Sequence, residues 1–333
     1  MNSPKKQTQP APNSMMTRLS YGIRQATSNQ AVSMLSILAV MWLIMSFASP
    51  FFLTVNNVMN ISLQAAQISL IAAGMTFVIL SGGIDLSVGS VFALSAVAAG
   101  LASKAGLPWY IIILVGVVTG AIAGSLNGLG VGYLKLPPFV VTLGMMGAAR
   151  GIALIIVQGI PIVGNPENGF ETIGVGKLGG VVPVPTLIVL LIYAICYFIL
   201  RRTRFGHFTY SIGSNPEATR LAGVRTSRYL VGIYALCGAL TALASLIEAG
   251  RLNSFQPAGG QGLELDAIGA VVIGGASLFG GEGNILASLI GALIVVTIRN
   301  SLNLLGVYAF WQYVVTGALI VFAVYLDSLR RKR

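Results

Sequence analysis

Ala65–Leu80 reads "AAQISLIAAGMTFVIL", Ser81–Ser90 reads "SGGIDLSVGS", and Val91–Gly100 reads "VFALSAVAAG". Two apolar runs flank a polar decapeptide holding three glycines and Asp85, one of only nine acidic residues in the chain. A run of roughly 20 apolar residues crosses the roughly 30 Å hydrocarbon core of a bilayer as a helix. The pattern recurs outward in both directions. Mean hydropathy is +0.84 and only 9% of residues are charged, where a soluble domain carries roughly 25%. The fold class is therefore all-α, a polytopic integral membrane protein with about ten transmembrane helices. Spans are predicted near 31–49, 61–80, 84–103, 109–134, 139–158, 186–200, 229–249, 263–280, 284–299 and 310–327.

The net charge is +11, a value that invites a nucleic-acid reading. Its distribution argues for topology instead. With the N-terminus inside, the basic tail, Lys135, the 201–228 loop and the closing "RRKR" place fifteen Lys and Arg on the inner side. Lys104, Lys177 and Arg251 are left outside, and Arg150 and Arg299 fall in or at the edge of spans. This asymmetry predicts cytoplasmic termini. Residues 1–30 are polar, lack the early apolar core of a signal peptide, and are expected to form a disordered basic tail. Residues 31–327 form the transmembrane domain, and 328–333 a basic C-terminus. Cys196 and Cys237 both lie in apolar runs and read as small core residues, not a disulfide. His207, without Cys or acidic neighbours, makes a poor metal site.

No phosphate-binding loop, HExxH or paired-cysteine motif occurs, so the chain is neither its own P-loop ATPase nor a recognisable enzyme. No catalytic, metal or cofactor residues are assigned. The most informative segment is "GSNPEATRLAGV", Gly213–Val224. Asn215 suits an N-cap, Pro216 the first helical position, Glu217 the positive helix end and Gly223 the C′ position. A helix over 216–222 follows. It is either a capped surface turn or a docking element. The long outer loop, 159–185, carries Glu167 and Glu171. In "GVVTGAIAGSLNGLGVG" glycine recurs at 116, 120, 124, 128 and 132, a stripe for close helix approach, within one subunit or between two. "GIDLSVGSV" (83–91) also echoes "GLELDAIGA" (262–270), with Asp85 matching Glu264, as a possible inverted repeat.

At this point a family resemblance emerges. Glu217-Ala218 with Gly223 resembles the EAA loop of ABC importer permeases, with Thr219 in the third place. "SGGIDLSVGS", "TLGMMGAARG" (142–151), "ATRLAGV" (218–224), "QGLELDAIGAVVIGGASLFGGEG" (261–283) and "NSLNLLGV" (300–307) together resemble the ribose-type monosaccharide permeases over residues 31–327. The resemblance implies a bacterial inner-membrane subunit with no enzymatic activity of its own. It implies a second permease copy, a partner ATPase holding ATP and Mg, and a periplasmic sugar-binding protein. Asn215, Pro216, Glu217, Ala218, Arg220 and Gly223 would form the ATPase-coupling helix. The exposed acids Glu167 and Glu171 are candidates for docking the binding protein.

Candidates for the path or gate are Asp85, Ser87, Arg150, Glu264 and Asp266. Two readings stand for Asp85: that it or Ser81 caps the third span, or that it also lines a polar path. Arg150, midway along the fifth span, is read as an ion-paired or snorkelling residue, with a pathway role as the alternative. A nucleoside or signalling-sugar permease, and a stand-alone secondary transporter, remain the rival functions.

Overall fold

The computed structural model describes residues 30–308, 310–312, 314–318, 321 and 325; the expected tail 1–30 lies, but for Gln30, outside them, as does the C-terminus 328–333. The chain runs α1 (Gln30–Ala48), α2 (Val55–Leu80), α3 (Val88–Lys104), α4 (Trp109–Gly132) and α5 (Pro138–Val157). A linking region follows, with strand β1 (Ile162–Val163), helix α6 (Thr172–Val175) and the β2 (Lys177–Leu178) and β3 (Val182–Pro183) hairpin. Then come α7 (Val184–Arg202), α8 (Arg204–Ser214), α9 (Pro216–Leu221), α10 (Thr226–Leu252), β4 (Ser254–Phe255), α11 (Leu263–Ile273) and α12 (Ile285–Leu304). This is an all-α polytopic membrane fold; among the described residues seven helices are long and apolar enough to span a bilayer, and α3 is a shorter apolar one.

The core is α2, wrapped by α7, α10, α11 and α12. Its first turn is capped by Thr54, which accepts the Asn57 N–H. It stops at Leu80 because Gly82 follows in the left-handed region, φ +79°, where residues with a Cβ are strained. Beside it the glycine stripe of α4 lies on α10. Gly116 meets Leu246, Gly120 meets the Gly238 carbonyl, Gly124 the Tyr234 carbonyl, Gly128 Val231 and Gly132 Ser227. The descending partners make the pair antiparallel, and the stripe is helix packing within one subunit. Polar ties fix the remaining helices: Asn57 and Asn300 exchange amide bonds at 3.0 and 2.7 Å, Trp42 Nε1 donates to Thr297, and Tyr193 OH donates to the Ser69 carbonyl. Cys196 and Cys237 are buried free thiols.

Three features depart from the expected spans. The eighth, drawn over 263–280, is only α11, eleven residues long. At 1.5 Å per residue that covers about 16 Å, half a bilayer core. It ends where Gly274 and Gly275 open a loop whose glycines 275, 280 and 281 all have positive φ. Second, the 201–228 segment holds α8 before the expected short helix; Thr203 starts it by accepting the Gly206 N–H. Third, the long loop 159–185, expected on the outer side, is folded, with β1 pairing antiparallel with β4. Of the expected tenth span, 310–327, the described residues 310–312, 314–318, 321 and 325 are helical.

Candidate translocation site

The chain enters α11 through an irregular segment, 256–262. Phe255 packs on Gly100 near one end of α3, and Gly260 packs on Gly89 at the other. The segment thus runs back along α3 for eleven residues, roughly 16 Å, and α11 starts beside the start of α3. Non-helical backbone at membrane depth is tolerated only where protein or a polar cavity satisfies it.

Arg150 supplies that satisfaction. From α5 its Nη1 donates to the carbonyls of Pro257 (2.9 Å) and Gly259 (2.7 Å), and its Nη2 to the carbonyl of Gly89 (2.9 Å). The expected ion pair is corrected: among the described residues no carboxylate lies within ion-pair distance of it. The guanidinium instead clasps the irregular segment to α3, with Glu264 near enough to be felt electrostatically. Beside it, Ser90, Met146, Gly147, Arg150, Gln261 and Glu264 line much of a cavity of about 430 Å³.

The other candidates separate from this cavity. Asp85 and Ser87 are buried. Asp85 Oδ1 accepts from the Ser87 N–H (2.9 Å), the Ser87 hydroxyl (2.6 Å) and the Asn127 amide of α4 (3.5 Å). Neither Ser81 nor Asp85 is the cap of α3. Ser87 occupies the cap position, and the helix starts at 88, later than the expected 84, because Asp85 binds the N–H of the cap residue itself. Ser81 turns back to the Val78 carbonyl. Asp266 points to α12, where it pairs with Arg299 at 2.6 Å. Glu264 therefore faces the cavity while Asp266, two residues on and so on the opposite side of α11, braces two helices.

At the end carrying α8, the local capping logic holds. Asn215 Oδ1 accepts the Ala218 N–H at 2.9 Å, Pro216 takes the first turn, and Gly223 has φ +85°. The exposed Glu217 and Arg220 pair across one turn, which holds the Glu217 carboxyl below its ordinary value. Ala218 is exposed, whereas Thr219 is buried and donates to the Ser211 carbonyl of α8. At the end of α8, Gly213 packs against the Leu80 carbonyl and the Gly281 N–H, which are bonded to each other at 2.9 Å. The α8–α9 unit thus rests on the two glycine-rich breaks, 81–87 and 274–284. Glu167 and Glu171 are both exposed on the linking region, which is anchored by Phe170 stacked near Phe255.

The sequence of residues 57–324 matches the family described as "Branched-chain amino acid transport system / permease component". The ribose import permease of Bacillus subtilis (strain 168) is 45% identical over 291 residues, 87% of this chain and 90% of that protein. That of Escherichia coli (strain K12) is 40% identical over 324 residues, 95% and 100% of the two chains. The chain belongs to the family of ribose-type ABC import permeases. The D-allose transport system permease of Escherichia coli (strain K12) is 36% identical over 298 residues, 89% and 91% of the two chains. This permease is thus a multi-pass transport subunit. Sequence reasoning missed Gln261, Ser90 and Asn127 in its polar centre. The only available signal was position: Gln261 opens the glycine-flanked start of α11, Ser90 lies in the first turn of α3, and Asn127 interrupts the glycine stripe.

Proposed function

We propose that this permease carries an uncharged monosaccharide of the ribose class across the bacterial inner membrane, as one of two permease copies in an ABC importer. A partner ATPase holds ATP and magnesium and grips α9 through Asn215, Pro216, Glu217, Ala218, Arg220 and Gly223. A periplasmic sugar-binding protein delivers the cargo against the outer loop bearing Glu167 and Glu171. Both termini are cytoplasmic. The observation that carries the coupling role is the contact of Gly213 with both glycine-rich breaks. A push on α9 passes through α8 to the turn that starts α3 and to the loop between α11 and α12. The cargo class rests on relatives that import ribose and D-allose. The family model's own description names branched-chain amino acids, so amino acid is the competing cargo.

The alternating-access step then has a physical route. Displacing α8 shifts the ends of α2 and α11, and the Arg150 clasp sets how far the irregular segment 256–262 follows. Asp85, Ser87 and Asn127 keep the start of α3 in register while its neighbours move. The test is uptake of labelled D-ribose and L-leucine in cells whose own uptake systems are deleted, supplying the permease with its partner ATPase and binding protein. Ribose uptake that is abolished by Glu217→Lys, with the permease still in the membrane, is expected. Leucine uptake alone, or ribose uptake without the ATPase, overturns the reading.

A further inference from the structure

We infer that the cavity beside Arg150 is a polyol-binding half-site on the translocation path, in which Ser90, Gln261 and Glu264 exchange hydrogen bonds with sugar hydroxyls. The inference rests on the monosaccharide reading above and adds the residues that meet the cargo. Its first support is an inventory of unused hydrogen-bonding capacity. Ser90, Gln261 and Glu264 side chains hold no hydrogen bond among the described residues, although nearly every neighbouring polar group does. Polar groups at membrane depth are costly unless partnered, and three unpartnered ones around one opening point to an external partner.

The chemistry selects the class of that partner. Glu264 accepts only, while Ser90 and Gln261 both donate and accept. That set matches neighbouring hydroxyls, each of which does both. A zwitterion would need a free cation for its carboxylate. Arg150 is a poor one, because three of its N–H groups are already held by the Pro257, Gly259 and Gly89 carbonyls. The charges of Arg150 and Glu264 also offset each other, so the cavity presents polarity without net charge. Met146 and the bare backbone of Gly147 and Gly151 supply an apolar wall for the C–H face of a sugar.

Location supplies the second support. The cavity opens on the face of α5, where nothing lies within 4 Å of a Cβ placed on Gly144, Gly147 or Gly151. Inside the chain, by contrast, the α4 glycines are all in tight contact. A half-site on an uncovered helix face is completed by a second copy, giving two matched sets of hydroxyl partners.

The experiment measures D-ribose and 2-deoxy-D-ribose uptake by the complete importer with wild-type permease, Gln261→Ala, Ser90→Ala and Glu264→Gln. Because every variant uses the same binding protein, its own preference cancels when the ribose to deoxyribose ratio is compared between permeases. A five- to tenfold loss of maximal ribose uptake is expected, roughly one hydrogen bond's worth, and the ratio should move toward deoxyribose in at least one variant. Gln261→Ala removes no internal bond, so it remains decisive even where Glu264→Gln fails to insert. Wild-type rates and an unchanged ratio in Gln261→Ala and Ser90→Ala overturn the half-site while leaving the monosaccharide reading intact. Absence of uptake of any monosaccharide by the wild-type importer overturns both.

Discussion

Replacing Arg150 with Met isolates the clasp from everything else in the site. The apolar volume of the side chain is largely kept, and three carbonyls lose a charged donor. Gly89 lies within α3 and has a helical partner for its carbonyl. Pro257 and Gly259 lie in the irregular segment, and among the described residues no backbone N–H reaches their carbonyls. In soluble proteins a hydrogen bond to a charged group is worth about 1.5–3 kcal/mol, but interhelical bonds in membranes average about 0.6 and reach about 1.7 kcal/mol. Taking roughly 1 kcal/mol for each of these two carbonyls gives a loss of about 2 kcal/mol. With an unfolding entropy of about 2.1 cal/mol/K per residue, that lowers the unfolding midpoint of this 333-residue chain by about 3 °C. Cys196 and Cys237 are natural reporters, since both are buried free thiols. A thiol-reactive dye, read at one fixed heating rate because such unfolding is kinetically controlled, follows their exposure in detergent. Arg150→Lys keeps the charge but not the fork that bridges two elements, so its midpoint should fall between the two. A midpoint for Arg150→Met within 1 °C of wild type would show that water satisfies these carbonyls and that the clasp holds nothing.

Four other outcomes follow from the same contacts. Asn215→Ala should cost about 1 kcal/mol of α9 stability and reduce co-purification of the ATPase, whereas normal assembly would show that α9 needs no cap. Gly124→Val should lower the dye midpoint by the equivalent of about 1–3 kcal/mol, because its Cβ meets the Tyr234 carbonyl; Gly147→Ala on the open face should leave it unchanged or raise it, and equal effects would contradict the packing. Asp85→Asn retains an oxygen for the Ser87 and Asn127 donors and should keep near-wild-type stability, while Asp85→Ala loses about 1–3 kcal/mol; equal losses would locate the effect in charge alone. Reversing Glu167 and Glu171 together should raise the binding-protein concentration needed for half-maximal uptake, more so at low salt, and an unchanged requirement argues against docking there.

Local chemistry was legible wherever the sequence carries both partners within a few residues. Asn215, Pro216, Glu217 and Gly223 specify α9 by capping rules alone, and the structure places the cap bond on Ala218. The α4 stripe was legible as close packing because only glycine at every fourth position leaves a backbone groove. What it packed against was not, since α10 answers with ordinary residues such as Tyr234 and Val231. Helix α8 hid for a different reason. Its buried positions Gly206, Thr209 and Ile212 include a single large apolar side chain, and a run of arginines reads as loop.

The polar centre escaped because its partners are backbone. An arginine in an apolar span announces that something must satisfy it, and a search among side chains finds only acids. The groups that do so are carbonyls of Pro257, Gly259 and Gly89, which every sequence contains and none advertises. The same physics explains why α11 reads as a full span. Residues 263–280 are apolar enough to cross, but a helix continues only while its backbone can bond to itself, and the glycines from Gly274 to Gly283 favour turns with positive φ. A broken helix needs an external donor for the strand that leads into it. The two departures are thus one: the irregular segment before α11 and the buried cation on α5 each exist because the other satisfies it.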